Sequence, residues 1–148
     1  MKDLAELYVK KSDLSHIRNS AIELRRWDLT PRQICDLELL MNGACSPLKG
    51  CLTKIDYENV LNHMRISDGS LWPIPIILDV TEDFAKSISI GKSIALCDQE
   101  GVILAKMIIS DLWVPYKQLE AQEVYGSIDV SHPGVDYLFN STGAVYLG

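Results

Sequence analysis

The spacing of apolar residues changes near residue 65, and this change constrains the fold of the 148-residue chain more than any other feature. Before it, Ile34, Leu37, Leu40 and Met41 recur at the spacing that lines one face of a helix. Thr30, Pro31 and Gln33 form a helix-start pattern of capping hydroxyl, first-turn proline and returning amide. Asn42-Gly43 ends that helix, because both residues tolerate left-handed backbone. A second helix starts at Thr53 or Asp56, with Ile55, Val60, Leu61 and Met64 as its expected buried stripe. Residues 20–24 read as a short strand from their content. The loop at residues 43–51 has glycines bracketing Pro47 and small apolar residues, which predicts an ordered, packed connection.

After residue 65 the signals are those of strands and turns. Ser67-Asp68-Gly69 predicts a turn. Residues 73–80 are apolar and β-branched, but Pro73 and Pro75 put their start at an edge or bend. Residues 81–85 read as a short capped helical turn. Residues 93–97 and 102–109, joined by the turn residues 98–101, read as a hairpin. Residues 119–124 read as helical, His132-Pro133-Gly134 as a turn, and residues 144–147 as a last strand. Helices mainly before residue 65 and strands after it predict an α+β fold, a partly closed β-barrel with flanking helices.

An apolar content of 47% with 23% charged residues is enough for one core and excludes a disordered chain. The most apolar stretch, residues 71–78, holds two prolines and falls far short of the roughly 20 residues that span a bilayer. Charges interrupt the N-terminal residues, so they do not read as a secretory signal. Cys35, Cys45, Cys51 and Cys97 contain no Cys-x-x-Cys pair. Reduced thiols in the cytoplasm are therefore expected, with no membrane association.

Charge is uneven. Residues 1–32 hold seven basic and five acidic side chains, while the whole chain carries a formal charge of −6. Lys10, Lys11, Arg18, Arg25 and Arg26 form the one basic run that could meet a polyanion. The overall acidity argues against nucleic acid, whose binding depends on neutralising phosphates.

Short chemical motifs fail on context. Gly91-Lys92-Ser93 resembles the end of a phosphate-binding loop, but Lys86 stands where the first glycine is needed and a strand follows instead of a helix. Ser46-Pro47-Leu48-Lys49 matches the acylating-serine spacing and supports a free-standing enzyme only if Ser46 opens a helix. The cysteines and the scattered His16, His63 and His132 lack zinc-ligand spacing, so the cysteines read as small core residues and His132 as the fixer of a turn. Trp27, Trp72 and Trp113 are too separated for a base-stacking strip and read as packing residues. No catalytic, cofactor-binding or metal-binding residue emerges.

Three segments carry a resemblance. They are residues 29–50, with Thr30-Pro31-Arg32-Gln33, Met41-Asn42-Gly43 and Ser46-Pro47-Leu48-Lys49-Gly50; residues 64–80, with Ser67-Asp68-Gly69 and Trp72-Pro73-Ile74-Pro75; and residues 123–135 with His132-Pro133-Gly134, followed by Val145-Tyr146-Leu147-Gly148. In order and spacing they resemble the N-terminal PUA-like domain of the ATP sulfurylase (sulfate adenylyltransferase) family, over residues 20–148. The resemblance implies a single PUA-like domain across residues 1–148, with residues 1–19 a flexible or appended N-terminal segment. It also implies a parent that joins ATP and sulfate into adenylyl sulfate and pyrophosphate with magnesium, in sulfate assimilation. The family's Gln-x-Arg-Asn-Pro strip and His-x-x-His pair belong to the next domain and are absent from this sequence. The expectation is an accessory domain without catalytic residues or cofactors of its own. Its partners would be the nucleotidyltransferase domain of the same parent and further copies of that parent, some of which carry an adenylylsulfate kinase domain. The alternative implied by PUA-like domains is RNA binding through the basic N-terminal third. Cys45 and Cys51 stand where the family usually has aromatic residues, and Ala44 replaces a glycine, so this loop departs from the family's packing.

Overall fold

The computed structural model describes residues 7–148. Among them the elements run α1 (Leu14–Ile22), β1 (Arg25–Asp28), α2 (Pro31–Met41), α3 (Lys54–His63), β2 (Leu78–Val80), α4 (Glu82–Lys86), β3 (Ser93–Cys97), β4 (Ile103–Ile108), β5 (Leu112–Trp113), α5 (Lys117–Tyr125), α6 (Pro133–Asn140) and β6 (Val145–Leu147). They form two compact units. One contains the residues up to Gly50 together with Ile90–Ile109; the other contains Cys51–Ser89 and Ser110–Gly148.

The first unit is built on a three-stranded sheet in the order β1-β3-β4. β1 runs parallel to β3 with Arg26 opposite Ala95, and β3 runs antiparallel to β4 with Ala95 opposite Lys106. Directly paired residues share a face, so Arg26, Ala95 and Lys106 form one row. α1 covers that face: Lys106 Nζ lies 3.5 Å from Ser20 Oγ, and Arg26 Nη2 lies 3.5 Å from the Ile22 carbonyl at the helix C-terminus. The neighbouring rows bring in Ile94 and Leu96, both buried. β4 is an edge strand whose Leu104, Lys106 and Ile108 are exposed.

α2 begins as its sequence dictates. Thr30 accepts from the Gln33 N–H, and the Gln33 side chain returns to the Thr30 N–H at 3.0 Å. Gln33 Oε1 also accepts from the Trp27 indole at 3.2 Å, which ties the helix start to the end of β1 and accounts for burial of an amide side chain. Asn42 caps the other end and Gly43 follows at φ 82°.

The second unit holds the sheet β2-β6-β5, antiparallel throughout. One row across it is Asp79, Tyr146 and Trp113. α3 starts at Thr53, whose side chain accepts from the Asp56 N–H, so the first of the two expected starts is the one used. The 67–69 turn, the Thr81-capped turn, the 93–108 hairpin, the helix around 119–124 and the final strand all form as read from the sequence.

Several expectations are corrected. Residues 20–22 belong to α1, and pairing with β3 begins only at Arg25. Ile17 and the buried Ala21 stand four apart, as a helix requires, and a run as short as 20–24 cannot separate the two periods. In the segment 1–19, residues 1–6 lie outside the described residues, while residues 14–19 lie within α1. In α3, Ile55 and Met64 are exposed, and Tyr57 takes the buried place beside Val60 and Leu61. His132-Pro133-Gly134 is the start of α6 rather than an isolated turn: the His132 ring accepts from the Gly134 N–H and Pro133 fits the first helical position. Helices do not cluster before residue 65, since α4, α5 and α6 follow it and β1 precedes it. Short helices set by caps carry little periodic signal. Strand pairing among the described residues makes two open three-stranded sheets and no closed barrel.

Backbone approaches closely at Gly143. Its N–H donates to the buried Asp79 carboxylate at 2.6 Å, and a Cβ there would overlap the Val80 backbone. Gly143→Ala is expected to destabilise the protein by about 1–3 kcal/mol, as overpacking against backbone does. Urea unfolding followed by circular dichroism measures this as a lowered midpoint.

Candidate functional site

The most elaborate polar arrangement lies in the second unit around Glu120. α5 carries this residue on its inner side, and only 8% of it is exposed. Its Oε2 accepts from the hydroxyl of Tyr57 on α3 at 2.9 Å and from that of Tyr146 on β6 at 2.9 Å. The two tyrosine rings and Trp113 form a mutually packed triad, with centroids 5.5, 5.8 and 5.9 Å apart and two of the three pairs edge to face. The Trp113 Nε1 is buried and meets no acceptor among the described residues, so ring packing holds that corner.

Burial pushes the pKa of both phenols up, and the Glu120 charge and hydrogen bond push it further up. They are therefore donors and not bases or nucleophiles at neutral pH. Burial lowers the Lys117 ammonium, an effect opposed by Asp79 and Glu120, while its Nζ donates to the Thr142 carbonyl at 3.1 Å. The rings are in mutual contact, and both phenol donors are spent on the Glu120 carboxylate.

A cleft of about 370 Å³ in the first unit is lined by Pro31, Ile34, Asp98, Gln99 and Glu100. It presents two carboxylates and no cation. Asp98 Oδ1 is occupied by the N–H groups of Glu100 and Val102 at 3.0 and 2.8 Å. Such a lining repels phosphate and sulfate.

The candidates from the sequence stay apart. Ser46 opens no helix: its Oγ donates to the Gly43 carbonyl at 2.6 Å, the Ser46–Pro47 bond is cis, and Lys49 is exposed. Gly91 sits in the turn before β3, with no helix after Ser93. Cys45 and Cys97 are buried, and burial is the main cause raising both thiols; Cys35 is exposed and Cys51 half-buried. Among the described residues, no three His, Cys, Asp or Glu side chains gather as metal ligands. Lys10, Lys11, Arg18, Arg25 and Arg26 are exposed, with Arg26 turned to the end of α1. No described helix is long and apolar enough to cross a membrane.

The family model for the PUA-like domain matches residues 1–148. The chain belongs to the PUA-like domain family. It is 43% identical over 148 residues to a sulfate adenylyltransferase of Eremothecium gossypii, covering 100% of this chain but 29% of that protein. It is 39% identical over 146 residues to a probable bifunctional SAT/APS kinase of Sorangium cellulosum, covering 99% of this chain and 25% of that protein. Among solved structures, a hexameric APS kinase from Thiobacillus denitrificans superposes with a TM-score of 0.67 at 34% identity, over 72% of this chain and 22% of that one. This PUA-like chain therefore spans less than a third of each of these relatives.

The Tyr57–Glu120–Tyr146 arrangement was not visible in the sequence, because its members stand 63 and 26 residues apart and tyrosine and glutamate are ordinary on helices. Both phenols ionise at a higher pH in the folded state than in the unfolded chain. Their contribution is thus fully present below the unfolded value of about 10 and is lost as pH rises beyond it. The thermal midpoint is expected to hold from pH 8 to about 10 and then to fall. Tyr57→Phe is expected to cost about 1.5–3 kcal/mol at neutral pH, the range for a hydrogen bond to a charged group. Calorimetry of the two proteins across pH checks both outcomes.

Proposed function

We propose that this PUA-like chain is the accessory N-terminal domain of a sulfate adenylyltransferase and does no chemistry itself. One observation carries the reading: similarity to sulfate adenylyltransferases runs along the entire chain yet covers 29% of such a relative. The reaction expected of the parent joins ATP and sulfate into adenylyl sulfate and pyrophosphate. Sulfate is a weak nucleophile, and negative charge accumulates around the α-phosphate during attack. Acceleration requires cations and hydrogen-bond donors fixed at that phosphate. Here the cleft is acidic, the buried carboxylate is held by phenols, and the arginines are dispersed on surfaces.

Magnesium, expected for the parent, finds no cluster of three His, Cys, Asp or Glu side chains among the described residues, and in the acidic Asp98–Glu100 turn Asp98 Oδ1 already accepts from two backbone N–H groups. ATP and magnesium are accordingly assigned to the rest of the parent, which is the chain's proposed partner. Self-association of that parent is supported by its structural neighbour, the hexameric APS kinase from Thiobacillus denitrificans. A cytoplasmic setting agrees with free cysteines, two of them buried as core residues.

The pure chain is expected to show no adenylyl sulfate synthesis and no ATP–pyrophosphate exchange. Substituted for the matching segment of the Eremothecium gossypii enzyme, it is expected to leave a folded, active hybrid. Turnover by the chain alone would overturn the reading, as would a well-folded hybrid without activity.

A further inference from the structure

Asn42-Gly43 is the one Asn-Gly pair among the five asparagines of the sequence, and it lies where α2 ends. This pairing is the most reactive context for asparagine, because glycine presents an unhindered backbone nitrogen. The reaction starts when the Gly43 N–H gives its proton to hydroxide and the nitrogen attacks Asn42 Cγ. A ring N–C bond forms, the bond to the side-chain nitrogen breaks, and that nitrogen departs as ammonia with a proton from solvent. Water then opens the succinimide at either carbonyl, leaving aspartate or isoaspartate.

The structure opposes this chemistry by two hydrogen bonds and one backbone torsion. Asn42 is exposed, but its Oδ1 accepts from the Ala44 N–H at 2.9 Å, which holds the side chain forward. The nucleophilic Gly43 N–H donates to the Leu40 carbonyl at 3.3 Å. Asn42 has ψ 0°, so the Gly43 nitrogen eclipses the backbone nitrogen of Asn42 and not its side chain; ring closure requires rotation about Cα–C. That rotation would also break the Cys45 N–H to Leu39 carbonyl bond at 3.1 Å and carry away the Gly43 carbonyl that accepts from Ser46. The reactive geometry is therefore reached only by opening the helix cap.

We propose that Asn42 is a latent deamidation site gated by the α2 C-cap, so that covalent change there records how often the cap opens. The product would also harm the cap that produced it. A carboxylate at residue 42 faces the negative end of the α2 dipole, one turn after Glu38, and the last turn of α2 holds no basic residue.

The test incubates the full chain at mildly alkaline pH with and without urea and maps residue 42 by peptide mass. The expected result is that Asn42 is the main deamidated asparagine in urea and that the native rate is at least about tenfold lower, as gating by local opening requires. Equal rates in the two conditions would overturn the gate, and an unmodified Asn42 in urea would overturn the site. A second variant, Asn42→Asp, is expected to melt at lower temperature than the parent chain; an equal or higher melting temperature would remove the self-weakening step.

Discussion

A carboxylate shared by two phenols holds the second unit together. Glu120 could not be buried alone, since an ionised group removed from water without partners is far too costly to keep. Two tyrosine hydroxyls on one oxygen meet that demand, and they come from different elements, α3 and β6. The rings that carry those hydroxyls then pack on Trp113 from β5. One carboxylate thus fixes where two helices, a central strand and an edge strand meet. The same arrangement keeps both phenols protonated at neutral pH, because each is raised in pKa and donates to Glu120.

The first unit is organised by a neutral counterpart. Gln33 closes the capping box of α2 and also receives the Trp27 indole, so one amide links a strand end to a helix start. The two units therefore rely on the same device, a buried polar side chain whose hydrogen bonds go to specified neighbours. In both places the arrangement supplies shape and fixed orientation.

Legibility followed the range of the interaction. The α2 cap, its proline and its Asn-Gly stop are contained within thirteen residues or so, and local chemistry alone places them. The hairpin of β3 and β4 is equally local. Legibility failed where a distant partner decides. Tyr57 is buried because Glu120 and Tyr146 await it, whereas Ile55 has no such partner and points outward despite its greater hydrophobicity. α6 was hidden because His-Pro-Gly reads as a turn until the ring of His132 is seen accepting from Gly134. The short β5 pair, Leu112 and Trp113, becomes a strand only through its register with Tyr146 and Leu147. Whether Ser46 opens a helix could not be read from Ser-Pro-Leu-Lys alone, because Pro47 suits a first helical turn as well as the turn that forms.

The outer margin of β4 has a consequence for handling the protein. A terminal strand offers a ladder of amides and carbonyls to any extended polypeptide that drifts alongside, and Leu104 and Ile108 make that ladder sticky. Lys106, midway between them, sets like charge against like charge whenever identical ribbons stack in register. Added salt weakens that repulsion by screening it.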